Sequence, residues 1–137
     1  MKHLSTIVLM GMIAIGCGSD EDTPNSPGGD TGCQGAIAGC ALSSLDATQL
    51  NDACDLVLAS IDDPAGTEYK CEHGPAEGLF LHVNSKAECV QAALPKGCPF
   101  TVSQLIACYK AAKDDPCAAL ANDGACSGAF SPACSGQ

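Results

Sequence analysis

Residues 45–61 read LDATQLNDACDLVLASI, and this segment predicts an amphipathic helix. Asp46 is expected to be the N-cap and Gln49 the third helical residue, so that each side chain bonds the other's backbone amide in a capping box. Leu45 and Leu50 flank this start as a hydrophobic staple. Apolar residues then recur at the helical period and form one stripe that faces a core: Leu50, Ala53, Cys54, Val57, Leu58 and Ile61.

Two more capping boxes predict helices further along the chain. Ser85 and Glu88 begin a helix that is expected to end at about Leu94, just before a proline. Thr101 and Gln104 begin a longer helix. The inward face of that longer helix carries Leu105, Cys108, Tyr109 and Ala112.

Asp-Asp-Pro sequences at 62–64 and 114–116 are expected to end the first and third helices, because proline cannot continue the hydrogen-bond ladder. The second of them also fits the start of a short fourth helix, with its last Asp as N-cap and its Pro as the first helical residue. Residues 122–137 are mostly small and polar, so we expect a loop there that only Cys126 and Cys134 can fix.

Two short strands are predicted between the first two helices, at Thr67–Glu72 and Leu79–Val83, with a turn-rich loop between them. Two strands alone are marginal in water, so this hairpin must pack on the helices or be held by Cys71. The predicted fold class is therefore mainly α: a small disulfide-rich helical domain with a minor two-stranded β-hairpin.

Charge and composition exclude several classes of function. The 137-residue chain has a formal net charge of −10 and no arginine, so it lacks the basic patch that nucleic-acid binding needs. Trp is absent and aromatic side chains are few, so a small core must depend on disulfides. A ligand pocket of several hundred Å³ is not expected in so small a cross-linked domain.

The first seventeen residues, MKHLSTIVLMGMIAIGC, are typical of an export signal. Lys2 is followed by an apolar run too short to span a bilayer, and Ala14 and Gly16 are the small residues expected before a cleavage site. The cysteine directly after them resembles the bacterial lipobox, which implies a lipoprotein signal peptide at 1–16 and a lipid on Cys17. Plain secretion after a cut at the same bond is the alternative.

Cysteine parity favours lipidation, because eleven cysteines cannot all pair. A thioether on Cys17 leaves ten for five disulfides: Cys33, Cys40, Cys54, Cys71, Cys89, Cys98, Cys108, Cys117, Cys126 and Cys134. The cysteines on predicted helices are expected to form long-range bonds: Cys54, Cys89 and Cys108. Residues 17–32 predict a disordered acidic linker that begins at the lipidated cysteine, and residues 33–137 form the disulfide-rich helical domain.

Residues 100–108, FTVSQLIAC, followed by Asp-Pro-Cys at 115–117, resemble a segment that recurs in uncharacterised cysteine-rich bacterial lipoproteins of myxobacterial type. SKAEC at 85–89 is similar too, and the resemblance covers roughly residues 85–120. It implies the class and an envelope location, and no activity. Gly18 after the lipidated cysteine, where an Asp would retain the protein in the inner membrane, implies an outer-membrane lipoprotein on its periplasmic or surface face.

The sequence predicts no metal, no cofactor and no catalytic residue. It contains no C-x-x-C pair, so common zinc and redox motifs are excluded. Cys71-Glu72-His73 offers metal ligands, but a disulfide is favoured for a cysteine in an oxidising compartment. There is no G-x-S-x-G motif, and only His73 and His82 follow the signal peptide, so we expect a protein that is not an enzyme.

Two functions fit these observations. The first is a membrane-anchored envelope lipoprotein that acts as a binding or structural module for an envelope protein or a glycan. The alternative is a small carrier of an apolar ligand, which requires a continuous cavity lined by Leu50, Val57, Leu58, Leu105 and Tyr109. A third function, a small secreted hydrolase, requires a histidine within hydrogen-bond distance of a serine and a carboxylate.

Overall fold

A computed structural model describes residues 33–92 and 94–135, which form a small, mainly α, disulfide-rich domain with one hairpin. In chain order the elements are α1 (Ala47–Ile61), β1 (Glu68–Lys70), β2 (Phe80–His82), α2 (Lys86–Gln91), α3 (Val102–Asp114), α4 (Pro116–Leu120) and α5 (Pro132–Ser135). The predicted fold class is confirmed. The predicted signal peptide at 1–16, the lipidated Cys17 and the linker up to residue 32 lie outside the described residues.

The capping box predicted for α1 is confirmed. The Asp46 carboxylate accepts hydrogen bonds from the second and third helical amides at 2.9 and 2.8 Å, and Gln49 Oε1 accepts from the Asp46 amide at 3.1 Å. The Gln49 side chain also bonds the backbone N–H and C=O of Cys33, at 3.2 and 2.9 Å. Gln49 therefore both starts the helix and fixes the beginning of the domain on it.

The predicted starts of the next three helices are confirmed as well. Ser85 and Glu88 form the capping box of α2, and Thr101 and Gln104 form that of α3. Asp115 caps α4 by accepting the amide three residues on, at 3.0 Å, directly before a proline at the first helical position.

Helix α2 is shorter than predicted, because it ends at Gln91 rather than at about Leu94. Ala92 already has a ψ of 77°, outside the helical region. Leu94 precedes Pro95, whose ring disfavours helical backbone in the residue before it. Leu94 instead packs against the core.

Strands β1 and β2 form the predicted antiparallel hairpin, with Tyr69 opposite Leu81 at its centre. Both of these side chains pack against the core. Cys71, directly after β1, is bonded to Cys117 in α4. The hairpin is therefore joined covalently to the helices, which its small size makes necessary.

Five disulfides cross-link the described part of the chain: Cys33–Cys40, Cys54–Cys89, Cys71–Cys117, Cys98–Cys134 and Cys108–Cys126. The first closes a small loop with a sequence separation of 7 before α1. The other four have separations of 18 to 46 and join elements that are distant in sequence. The long-range bonding expected of the three helical cysteines is found.

The C-terminal segment is not the irregular loop that the sequence predicts. It contains a 3₁₀ turn at Ser127–Phe130 and the short helix α5. The Cys126 amide donates to the Ala119 carbonyl at 3.0 Å, and a Cβ at Gly124 would collide with the carbonyl oxygens of Ala118 and Ala119. This close approach of two backbones, together with the two disulfides, orders the segment.

The segment before α1 also has structure that the sequence does not predict. It contains 3₁₀ turns at Ile37–Gly39 and Leu42–Ser44. The Leu42 amide donates to the Phe100 carbonyl at 2.9 Å, and the Val102 amide donates to the Cys40 carbonyl at 3.1 Å. These bonds lay the segment across the beginning of α3.

The core consists of two buried clusters. One joins α1, α3 and the hairpin and contains Ala53, Val57, Ile61, Val83, Val102 and Tyr109. The other contains five of the disulfide cysteines together with Ala76, Phe100, Ala112, Ala119 and Leu120. Leu42 and Leu105 pack against both clusters. Within residues 33–92 and 94–135, no helix has the length and apolar character needed to cross a bilayer.

Candidate functional site

A cavity of about 380 Å³ lies between α1, α3 and the segment that carries α2. This volume falls within the range of small-molecule pockets, roughly 300–1,000 Å³. The wall is mostly apolar and is formed by Leu42, Ser43, Leu45, Leu50, Val57, Leu58, Ile61, Asn84, Cys89, Ala92, Leu94, Lys96, Phe100, Leu105, Tyr109 and Ala129.

All five side chains that the apolar-carrier hypothesis requires line this cavity. They reach it because residues 50, 57, 58 and 61 share one face of α1, and residues 105 and 109 share one face of α3. Val57 and Tyr109 are buried, at 3 % and 5 % exposure, and form the inner wall. Leu50, Leu58 and Leu105 are half-buried.

The expectation that the domain has no room for a pocket of several hundred Å³ is wrong. The largest fully buried side chains among the described residues are only valines and cysteines, such as Val102 and Cys108. Few large side chains are available to fill the space between α1, α3 and the segment that carries α2, where the cavity lies. The scarcity of large side chains, which the sequence makes obvious, therefore produces a cavity rather than preventing one.

Two of the four polar side chains on the described wall, those of Tyr109 and Ser43, are engaged in hydrogen bonds. The Tyr109 hydroxyl donates to the His82 carbonyl at 2.8 Å, and burial raises the pKa of this phenol, so that it stays a donor at neutral pH. The Ser43 hydroxyl donates to the Cys98 carbonyl at 2.7 Å. In the part of the chain that the structure describes, Lys96 is the charged group that lines the cavity.

Helix α2 holds one side of the cavity in place. Cys89, which lines the cavity, is bonded to Cys54 of α1. Lys86 Nζ lies 2.7 Å from Asp55 Oδ2 and adds an exposed ion pair between the same two helices. Glu88 accepts from both the amide and the hydroxyl of Ser85, at 2.7 and 2.8 Å, and these bonds lower the pKa of its carboxyl.

No protein-family model, curated protein or solved structure matches this chain. The function therefore has to be inferred from the geometry of the cavity and from the sequence motifs.

Three other candidate residues from the sequence do not line the cavity: Cys71, His73 and His82. Cys71 forms a disulfide with Cys117, so its sulfur is not available as a thiolate ligand for a metal. No cluster of three or more metal-ligating side chains occurs within residues 33–92 and 94–135. His82 Nδ1 lies 3.9 Å from Glu68 Oε1, beyond hydrogen-bond distance, and neither His82 nor His73 bonds a serine among the described residues. The arrangement that a hydrolase would require is therefore not assembled in the described region.

Sequence reasoning missed Lys96 as a site residue. It lies in a Pro-Lys-Gly turn after α2, and no local pattern relates this turn to the facing sides of α1 and α3. The available signal was indirect: Lys96 is a lone cation next to the apolar residues 92–94 in a strongly acidic chain.

Proposed function

We propose that this protein is an outer-membrane lipoprotein whose disulfide-rich domain binds an apolar ligand in the cavity between α1 and α3. The observation that carries the proposal is the cavity itself, with its mostly apolar wall. The cavity is open at its mouth, and an apolar ligand bound there would remove apolar surface of the wall from water, which is favourable. Such a ligand would add apolar contacts to a domain that has little core of its own.

Attachment to the membrane is the second part of the proposal. The resemblance of residues 14–17 to a lipobox supports a lipid on Cys17, and disulfides persist in oxidising compartments outside the cytoplasm. Intact-mass analysis of the exported protein tests this part. We expect a diacylglycerol-modified Cys17 and no free thiol. An unmodified N-terminal cysteine would refute the anchor and leave the ligand proposal standing.

Binding is tested with the mature chain, residues 17–137, secreted with Cys17→Ser so that no attached acyl group can compete. Straight-chain alcohols of increasing length are titrated by calorimetry. Affinity should rise about fourfold per methylene, since each buried CH₂ contributes about 0.8 kcal/mol. The rise should stop once the chain fills the cavity of about 380 Å³, which is at roughly a dozen carbons if each CH₂ occupies about the 30 Å³ of a water molecule.

Two tryptophan variants on the same helix localise the binding. Leu58→Trp places a large ring into the cavity and should abolish alcohol binding. Leu56→Trp is the matched control, because Leu56 is 38 % exposed and does not line the cavity. Absence of saturable alcohol binding to the unaltered chain, or equal binding by both variants, would refute the proposal.

A protein or glycan partner is a second candidate, favoured by two adjacent exposed side chains on the hairpin. Leu79 and Phe80 are 40 % and 51 % exposed. In cross-linking of intact cells, Leu79→Ser with Phe80→Ser would remove such a partner, whereas Leu58→Trp would not. The ligand-binding proposal expects neither variant to change the cross-linked species.

A further inference from the structure

Lys96 gives the cavity one charged point of contact. It is exposed and yet lines the cavity, so it lies at the mouth, while buried Val57, Ile61 and Phe100 form the interior. The hydroxyls of Tyr109 and Ser43 are occupied by backbone carbonyls and are not available to a ligand. Apart from the half-buried Asn84 amide, the described wall is therefore apolar inside, and its opening is cationic.

The ammonium group of Lys96 is also without a protein partner in the region that the structure describes. Lys70, Lys86 and Lys113 each lie within 2.8 Å of a carboxylate, whereas Lys96 makes no such pair with a described residue. No described Asp or Glu lines the cavity. The chain carries a formal net charge of −10, and at physiological ionic strength acidic groups within about 8 Å of Lys96 are the ones that would act strongly on an anion bound there.

From this arrangement we infer that the ligand is a single-chain anionic amphiphile, such as a medium-chain fatty acid. Its chain occupies the space between α1 and α3, and its carboxylate pairs with Lys96 at the mouth. One chain of roughly a dozen carbons fills the volume of about 380 Å³ if each CH₂ occupies about the 30 Å³ of a water molecule. This inference rests on the proposed function, because it specifies the head group of the ligand for the same cavity.

The test compares three probes that share one chain and differ in the head group: dodecanoate, dodecanol and dodecyltrimethylammonium. They are titrated into the secreted mature chain with Cys17→Ser, below the concentration at which they form micelles. Dodecanoate should bind about 1.4-fold to fivefold more tightly than dodecanol, the range expected of an exposed ion pair. Lys96→Glu should reverse the preference between the two charged probes.

Lys110→Glu is the matched control for this charge change. Lys110 is an exposed cation on α3 that makes no ion pair with a described residue and does not line the cavity. It should leave the preference for dodecanoate unchanged. If dodecanol binds as tightly as dodecanoate, or if Lys96→Glu changes no more than Lys110→Glu, the inference fails and the cavity remains a site for neutral ligands. If none of the three probes binds, the proposed function fails as well.

Discussion

Asp63 is the residue that connects α1, the hairpin and α3 through its side chain. Its carboxylate accepts the Tyr69 hydroxyl at 2.5 Å and lies 2.8 Å from Lys113 Nζ. The hydrogen bond from Lys113, followed by that from Tyr69, lowers the pKa of Asp63. Burial, followed by the bond to Asp63, raises the pKa of Tyr69 to about 12. The pair therefore favours a neutral phenol beside an ionised carboxylate.

This arrangement predicts an unusual alkaline titration. Tyr69 and Tyr109 are the two tyrosines and Trp is absent, so near-ultraviolet phenolate absorbance reports on these two side chains. In the folded protein Tyr69 should ionise at a pH of about 12 and Tyr109 above its ordinary value, whereas both should ionise near pH 10 in denaturant. Tyr69→Phe should remove the component at the higher pH. A folded-state titration identical to the denatured one would contradict the assigned contacts.

The sign of the linked stability follows from the direction of the Tyr69 shift. Its pKa is higher in the folded state, so the stabilisation is complete below pH 10 and is lost as the pH rises towards about 12. Asp63 behaves oppositely, because its pKa is lowered: its contribution is present above the unfolded pKa and is lost as the pH falls through the folded one. Urea unfolding of Asp63→Asn should accordingly show less loss of stability in acid than the unaltered protein.

Among the elements, α2 depends most on its tertiary contacts. It has six residues, and isolated helices of this length are not stable in water. A capping box begins it, and the Cys54–Cys89 disulfide holds it against α1. Because Cys89 also lines the cavity, unfolding of α2 should also remove this part of the cavity wall.

Replacement of Cys54 and Cys89 by alanine tests this dependence. The free energy of unfolding should fall by about 3–4 kcal/mol. Amide protection in α2 should decrease more than amide protection in α3. Alcohol binding should weaken as well. The control is Cys33→Ala with Cys40→Ala, since neither cysteine lines the cavity and binding should persist. Retained protection of α2 after loss of its disulfide would contradict this account.

In the whole molecule, the disulfides should differ in their contribution to stability. Chain-entropy loss in the unfolded state grows with loop length, which gives about 2 kcal/mol for a loop of 7 residues and about 4 kcal/mol for one of 46. Replacing Cys71 and Cys117 by alanine should therefore destabilise the protein more than replacing Cys33 and Cys40. Urea unfolding of the two double variants at pH 7 measures the difference. Equal losses would indicate that native contacts, rather than loop length, set the contribution of each bond.

The beginnings of the helices could be predicted because capping is local. Asp46, Ser85, Thr101 and Asp115 each meet partners within three residues, so no distant part of the chain is needed to identify them. The end of α2 and the order in the C-terminal segment could not be predicted in the same way. Both depend on contacts with distant residues, such as the close approach of Gly124 to the end of α4.

The sequence by itself determined the fold class, the starts of α1 to α4 and the hairpin, since these follow from side-chain patterns within a few residues. It also named the five apolar residues of one cavity wall, because residues on one helical face must point the same way. Only the tertiary structure selected one set of five disulfides from about 945 pairings. Only the tertiary structure shows that the space between α1 and α3 is open and that Lys96 lies at the mouth of this cavity. Both features depend on how distant segments of the chain approach one another.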